Sequence, residues 1–283
     1  MRSEIKNRES QVTNVMQFID RKLAARLEST ERVAQIAYAQ AYKRARPDAV
    51  VEIEEIAGGH MVFTGPQSMI GRAIGLGLHR AVTAQDIEQV ETFYFSRGAN
   101  SQIDVVPAAD ESLFNLLRER PYRLFELNNV MVIELPPDRQ FKTEVDGVEI
   151  RRAQQSEAHT CADVLGRCFR GAPPDFAETV AAMFEAPAIT FLASVRGTAV
   201  AAATGLVISE QELMALFGAG TLPMYRGKGI QTAMLGARMN AARESGCTLA
   251  VTVTRGGTTS ERNAERLGFR VAYSKATMIR ARE

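Results

Sequence analysis

The sequence predicts a mixed α/β protein in which each of two halves contains a central mixed sheet flanked by helices. Short Val- and Ala-rich runs, typical of buried strands, alternate with amphipathic helical segments, and the order helix, short strand, helix, extended segment recurs in both halves. A length of 283 residues also suits two domains. Because the stretch from Pro136 to Gly147 is polar and contains prolines, as linkers often do, we place the domains at residues 1–140 and 141–283.

The first half begins with helical segments and continues with shorter elements punctuated by glycine and proline. Apolar positions at helical spacing extend from about Val15 to Arg46, where Pro47 ends the helix. Gly58-Gly59 predicts the turn of a hairpin, and Asp110 is of the type that caps a helix. The elements predicted after residue 47 are a hairpin over 50–64, helices over 83–96 and 110–120, a strand over 102–106, and two extended pieces over 123–135 joined at Asn128-Asn129.

The second half shows a similar alternation, and glycines mark the ends of its helices. Arg196-Gly197 predicts a hairpin turn, and Gly246 and Gly268 each follow the last residue of a predicted helix. The predicted elements are strands over 148–151, 189–195, 198–208, 212–222, 248–254 and 269–279, and helices over 156–169, 176–184, 229–244 and 260–267.

The composition is that of an ordinary globular protein, with 46% hydrophobic residues and 34 basic against 33 acidic side chains. This balance gives no bulk attraction to nucleic acid or to an anionic membrane, and no apolar run reaches the roughly 18 residues of a membrane span. The charged segment after Met1 lacks the apolar core of a signal peptide, so we expect a cytoplasmic location without nucleic-acid or membrane partners. The cysteines and histidines have no metal-binding spacing and predict no metal site.

The most informative stretch of the chain is the turn between a strand and a helix, Leu222-Pro223-Met224-Tyr225-Arg226-Gly227-Lys228-Gly229-Ile230-Gln231. The start of a helix exposes backbone N–H groups that have no partner within the helix, and glycines let a phosphate approach them closely. Arg226 and Lys228 add positive charge beside these donors. The turn therefore predicts a binding site for a pyrophosphate.

This turn resembles the signature of the GNAT superfamily of N-acetyltransferases, Q/R-x-x-G-x-G/A. Arg226 fills its first position and Gly229 its fourth, whereas Gln231 stands where the family has Gly or Ala. A second landmark of the family, a short helix ending in L-G-F, is similar to the segment Asn263 to Phe269. The resemblance covers about Val148 to Arg280 in the family's element order. It implies two tandem GNAT-like acyl-CoA N-acyltransferase domains, with acetyl-CoA as co-substrate of the second.

The resemblance also implies which residues hold the co-substrate. The pantetheine arm would pair with the backbone of Gly220, Thr221 and Leu222, at the end of the strand before the turn. Asn263 is a further candidate for a hydrogen bond to this arm. The residues expected to surround the pyrophosphate are Arg226, Gly227, Lys228, Gly229, Ile230 and Gln231.

Catalysis requires a proton acceptor for the amine and a proton donor for the departing thiolate. Glu212, near the start of the strand, is either the base or an exposed carboxylate. Many family members place a tyrosine where this chain has Ala264. Ser260 is a substitute donor or a helix cap, and Tyr273 is a substitute donor or a core aromatic residue.

The sequence hypothesis is an N-acetyltransferase that acts on a primary amine of a small molecule or peptide, by direct attack in a ternary complex. The alternatives are a non-catalytic CoA-binding or regulatory protein, and an acyltransferase that uses a longer acyl-CoA. The first half has no Arg-x-x-Gly turn, and Asp86 and Glu88 lie where its helix would receive a phosphate, so we expect a degenerate domain. The sequence leaves a homodimer open.

Overall fold

The computed structural model describes residues 20–169, 176, 180–182 and 188–282, which form one mixed sheet with helices packed on both faces. The strands are β1 (Glu52–Ile56), β2 (Gly59–Phe63), β3 (Ala73–Ile74), β4 (Ser101–Val105), β5 (Arg123–Glu134), β6 (Glu149–Arg152), β7 (Ala188–Val195), β8 (Thr198–Ile208), β9 (Leu213–Thr221), β10 (Leu249–Arg255) and β11 (Arg270–Arg280). The α-helices are α1 (Arg21–Ala45), α2 (Ala84–Phe95), α3 (Glu111–Arg118), α4 (Ala158–Cys168), α5 (Ile230–Glu244) and α6 (Thr259–Leu267). Within these described ranges, no helix combines the length and apolar character needed to cross a membrane.

The sheet contains both parallel and antiparallel neighbours, as the sequence predicts. Its strand order is β1-β2-β3-β4-β11-β5-β10-β9-β8-β7-β6. β3 pairs with β4, and β9 with β10, in parallel, whereas the other neighbours are antiparallel. The expected fold class, a central mixed sheet flanked by helices in each of two similar halves, is confirmed.

The two halves exchange strands at the centre of the sheet. β5, from the first half of the chain, lies between β10 and β11, and β11, from the second half, lies between β4 and β5. The backbone hydrogen bonds of either strand therefore connect the two halves. The domain boundary at residue 140 stays a prediction. Strands from before and after this residue interleave in the sheet.

One predicted break in the first half is wrong. The two extended pieces expected over 123–135 form the single strand β5, without a turn at Asn128-Asn129. The Asn129 amide group is satisfied by neighbouring elements: Nδ2 donates to Glu261 of α6 at 2.5 Å, and Oδ1 accepts from the Ser274 hydroxyl of β11 at 2.6 Å. An Asn pair that suggests a turn in isolation is therefore accommodated within a central strand.

Several local predictions agree with the structure. The hairpin turn lies at Arg196-Gly197, where φ is 50° and 77°, between β7 and β8. The first helix begins at Arg21. Asp20 is its N-cap, and the Asp20 side chain accepts a hydrogen bond from the Leu23 N–H at 2.7 Å. Residues 15–19 of that prediction lie outside the described residues. Of the helix predicted over 176–184, residues 176 and 180–182 are helical. The other residues of this prediction lie outside the described residues.

Helix α1 packs on the sheet where the two halves meet. Its Ala24 and Leu27 contact an apolar group that includes Val130 of β5, Leu206 of β8 and Val251 of β10. The helix therefore contacts strands from both halves, although it belongs to the first. Burying these side chains fixes α1 over the centre of the sheet.

A buried ionic cluster, called here the Lys275 cluster, also holds α1. It consists of Glu28 and Glu31 of α1, Arg72, Asp104 of β4 and Lys275 of β11. The Lys275 ammonium contacts Glu31 and lies 3.5 Å from both Glu28 and Asp104, while Arg72 lies 3.0 Å from Glu31 and Asp104. The three carboxylates thus share two cations.

Burial and charge compete in the Lys275 cluster. Burial raises the pKa of Glu28 despite the nearby Lys275 ammonium. Burial would also raise the pKa of Glu31, but the charges of Lys275 and Arg72 prevail and lower this pKa to about 2. The contribution of Glu31 to stability is therefore present above its ordinary pKa of 4.5 and is lost as the pH falls toward about 2.

We expect Lys275→Met to lower the free energy of unfolding by about 3–5 kcal/mol, because it leaves three carboxylates with only one cation. Arg167→Met is the control, since Arg167 forms an exposed pair with Asp163, and such pairs contribute about 0–1 kcal/mol. Urea unfolding at neutral pH measures both variants. Equal effects of the two substitutions would contradict the stabilising role of the cluster.

Candidate active site

The strands β9 and β10 separate part of the way along their length. They pair in parallel from Leu213 and Leu249 to Leu216 and Thr252, and no further. β9 remains paired with β8, but a bulge inserts Gly218 and Ala219 opposite the single residue Ala203, and Gly218 has φ 53°. From Phe217 onward the edge of β9 that faces β10 has no strand partner among the described residues, so its backbone is available to an extended ligand.

The glycine turn follows directly on this free edge. Gly227 and Gly229 have φ 77° and 80°, and a Cβ on either residue would have no atom of the described residues within 4 Å. Gly229 is the N-cap of α5 and has no side-chain cap. The first N–H groups of α5 therefore face open space, together with the positive end of the helix dipole. This geometry fits a pyrophosphate.

The two basic residues of the turn have different positions. The Arg226 Nε donates to the Thr221 carbonyl at 3.0 Å, which fastens the turn to the end of β9. The Lys228 ammonium lies 5.3 Å from the centre of the Tyr225 ring. Both basic side chains are exposed, so their charge lies at the rim of the turn.

The residues predicted for the pantetheine arm have close neighbours of their own. A Cβ on Gly220 would lie 2.7 Å from the Cβ of Cys168, so the absence of a side chain lets α4 pack against β9. The Leu222 N–H donates to the Val200 carbonyl at 2.9 Å. The Thr221 hydroxyl is buried and has no hydrogen-bond partner among the described residues. Part of this predicted set thus has structural contacts already.

Gln231 and Asn263 lie together. The Asn263 Nδ2 donates to the Gln231 Oε1 at 2.7 Å, which joins the start of α5 to α6. Gln231 also lines the cavity described next. The side chain that replaces the family's Gly or Ala is therefore held by Asn263 at the edge of the cleft.

A cavity of about 570 Å³ lies between the separated strands and α1. The residues that line it from the first half are Thr30, Glu31, Ala34, Gln35 and Tyr38 of α1, Met69, Ile70, Arg72 and Ile74 of the following segment, and Glu126, Asn128 and Val130 of β5. Those from the second half include Phe217, Gly218 and Ala219 of β9, Gln231, Leu235 and Arg238 of α5, and Ser260 and Ala264 of α6. Both halves thus contribute walls to one cleft.

The three predicted catalytic residues do not come together. Ser260 lines the cavity, and Thr258 rather than Ser260 caps α6. Tyr273 is buried beneath α1, where its hydroxyl donates to Glu28 at 2.6 Å. Glu212 is exposed at the start of β9, in a left-handed conformation with φ 47°, and does not line the cavity.

The cavity brings in a carboxylate that sequence reasoning did not select. Glu126 of β5 is half-buried, and its Oε2 accepts a hydrogen bond from the Asn128 Nδ2 at 2.9 Å. Among the described residues, no cation lies within 4.0 Å of Glu126, whereas Glu31 is paired with Lys275 and Arg72. The available signal was the spacing Glu126-x-Asn128, which places both side chains on one face of a strand.

The corresponding helix of the first half has a different N-terminus. The Thr83 hydroxyl accepts from the Asp86 N–H, and the Asp86 carboxylate accepts from the Thr83 N–H at 2.8 Å, a complete capping box. Arg80 also binds Asp86 through two bonds of 2.8 Å. The start of α2 thus carries its own carboxylate where the start of α5 is open.

The chain is similar to known acetyltransferases in sequence and in fold. Residues 158–269 match the model of the acetyltransferase (GNAT) family. A GCN5-related N-acetyltransferase from Kribbella flavida is 18% identical over 87% of this chain and 94% of its own, with a TM-score of 0.63. A GCN5-related N-acetyltransferase from Sphaerobacter thermophilus is 17% identical over 82% of this chain and 76% of its own, with a TM-score of 0.60.

A tandem GNAT protein from the clavulanic acid biosynthesis pathway has a similar fold over most of its length. It is 11% identical over 89% of this chain and 95% of its own, with a TM-score of 0.59. No significant match to a curated protein was found. The family match covers the separated strands, the glycine turn and the L-G-F helix end. Residues 158–269 therefore form an acyltransferase domain of the GNAT family.

Proposed function

We propose that this acyltransferase moves the acetyl group of acetyl-CoA to a primary amine of a small molecule or peptide, by direct attack in a ternary complex. The supporting observation is that the uncapped start of α5 and the free edge of β9 adjoin one cavity. A pyrophosphate on the first amides of α5 would leave the pantetheine arm beside that edge. The thioester would then lie near the bulge at Gly218.

The first half supplies the wall from which the amine approaches. An amine must lose a proton before or during its attack on the thioester. Glu126 is our candidate for the proton acceptor, because its carboxylate lines the cavity and has one amide partner and no ion pair among the described residues. Glu31 is a weaker candidate. Burial would raise its pKa, but the charges of Lys275 and Arg72 outweigh this effect and lower the pKa to about 2.

The departing thiolate needs a proton donor on the other wall. Ala264 lines the cavity but has no hydroxyl, whereas Ser260 lies one helical turn before it on the same helix. Tyr273 already donates to Glu28, and burial raises its pKa further above the ordinary value. These contacts favour Ser260, acting directly or through water, over Tyr273.

The cysteines favour direct transfer over an acyl-cysteine intermediate. Burial raises the pKa of Cys161 to about 12, so little thiolate forms at neutral pH. Burial also raises the pKa of Cys168, which lies beside Gly220, and that of Cys247. A nucleophilic cysteine requires the opposite shift.

We expect Gly229→Val to abolish binding of acetyl-CoA, because a β-branched residue at φ 80° strains the helix start and places a side chain before its amides. Gly246→Val is the matched control, since Gly246 lies just beyond the other end of α5 with φ 79° and equal free space. Calorimetry should give one site per wild-type chain, none for Gly229→Val and one for Gly246→Val. Unchanged affinity of Gly229→Val, or two sites in the wild type, would overturn the assignment.

We expect Glu126→Gln to lower kcat by about 100- to 10,000-fold with unchanged affinity for acetyl-CoA, as befits loss of a general base. Glu134→Gln is the control, because Glu134 is exposed at the other end of β5. Release of CoA, followed with a panel of primary amines, measures the rate. A wild-type kcat in Glu126→Gln, together with a loss in Glu212→Gln, would restore Glu212 as the base.

A further inference from the structure

Arg238 is a buried cation on the helix that begins at the glycine turn. Its side chain lies on the face of α5 that packs against the sheet, and the residue is 2% exposed. On this face β8 carries the small residues Ala201, Ala203 and Gly205. These small residues leave room for the long arginine stem beneath the sheet.

The partners of Arg238 are backbone carbonyls. Its Nε donates to the Met234 carbonyl at 3.2 Å, and its Nη1 donates to the Thr204 carbonyl at 3.1 Å. No carboxylate lies within 4.0 Å of it in the described part of the chain, and these bonds use two of its five N–H donors. Burial alone lowers its pKa to about 10, so the group stays charged at neutral pH. A buried charge without a counter-charge is costly, which distinguishes Arg238 from the paired Arg72 and Lys275.

The guanidinium adjoins the inner end of the cleft. Thr204, which accepts from Arg238, pairs with Phe217 at the edge of the bulge. Arg238 lines the cavity together with Gln231 and Leu235, which lie on the same face of α5. Its free donors are therefore close to the point where β9 and β10 begin to separate.

We propose that Arg238 binds a carboxylate group of the substrate at the inner end of the cleft. This inference rests on the proposed function, because the cleft must first hold an acyl-CoA, and a preference for a dicarboxylic donor would replace acetyl as the transferred group. A guanidinium binds a carboxylate through two parallel N–H bonds and supplies the missing charge. The carboxylate belongs either to the acyl chain of a dicarboxylic acyl-CoA or to an amino-acid acceptor, and the two sources can be separated by experiment.

The test compares matched substrates with and without a carboxylate. The donor arm measures the affinity of succinyl-CoA against acetyl-CoA by calorimetry. The acceptor arm measures kcat/KM with lysine against cadaverine, and with phenylalanine against phenethylamine. We expect the wild type to prefer the carboxylate-bearing member about tenfold or more in one arm, which identifies the source.

Substitution of Arg238 then separates recognition from packing. We expect Arg238→Met to remove the preference while the carboxylate-free partner is still used, and Arg238→Lys to retain part of it because the charge is kept. Arg243→Met is the control, since Arg243 lies on the same helix and also donates to backbone carbonyls but does not line the cavity. If Arg238→Met fails to fold, the Lys variant and the wild-type preference decide.

Absence of a carboxylate preference in both arms, or an equal loss for both members of a pair in the Arg238 variants, would show that Arg238 only supports the bulge and would overturn the inference. Failure of every acyl-CoA to bind is a different result. It would overturn the proposed function itself, and the inference with it.

Discussion

The antiparallel pairing of β5 with β11 determines how the rest of the molecule is arranged. Each strand lies between neighbours that include strands of the other half, so neither half has a complete sheet without the other. On its other side β5 pairs with β10, and the register joins Asn128, in the middle of β5, to Arg255 at the end of β10. Glu126 and Asn128 thereby reach a cleft whose other walls come from the second half.

The same pairing fixes the wall opposite the glycine turn. Lys275 projects from β11 toward two carboxylates of α1 and one of β4, so α1 is held by a strand from the far end of the chain. Gln35 of α1 bonds to His60 at 2.6 Å, and burial lowers the pKa of this histidine to about 4, which keeps it neutral. Polar side chains of this wall are thus paired with one another, and Glu126 has no cation within 4.0 Å among the described residues.

Features with local causes could be predicted from the sequence. The glycine turn, the β7–β8 hairpin at Arg196-Gly197 and the end of α6 at Gly268 follow from backbone conformations that glycine favours. The exchange of β5 and β11 could not be predicted, because strand pairing over such a separation leaves no local pattern. Glu212 was selected for its position in the strand alone, whereas Glu126 becomes a candidate only when β5 is seen beside the cleft. Arg238 is a single polar position in a helix, and only its burial in the structure distinguishes it.

We propose that the second half binds the acyl-CoA while the first half provides the surface that faces its thioester. A crystal structure of the full chain with CoA tests it most directly. We expect one CoA per chain, with pyrophosphate on the amides at the start of α5, the pantetheine arm along the free edge of β9, and the thiol facing β5 and α1. A CoA bound at the start of α2, or a thiol directed away from Glu126, would contradict it.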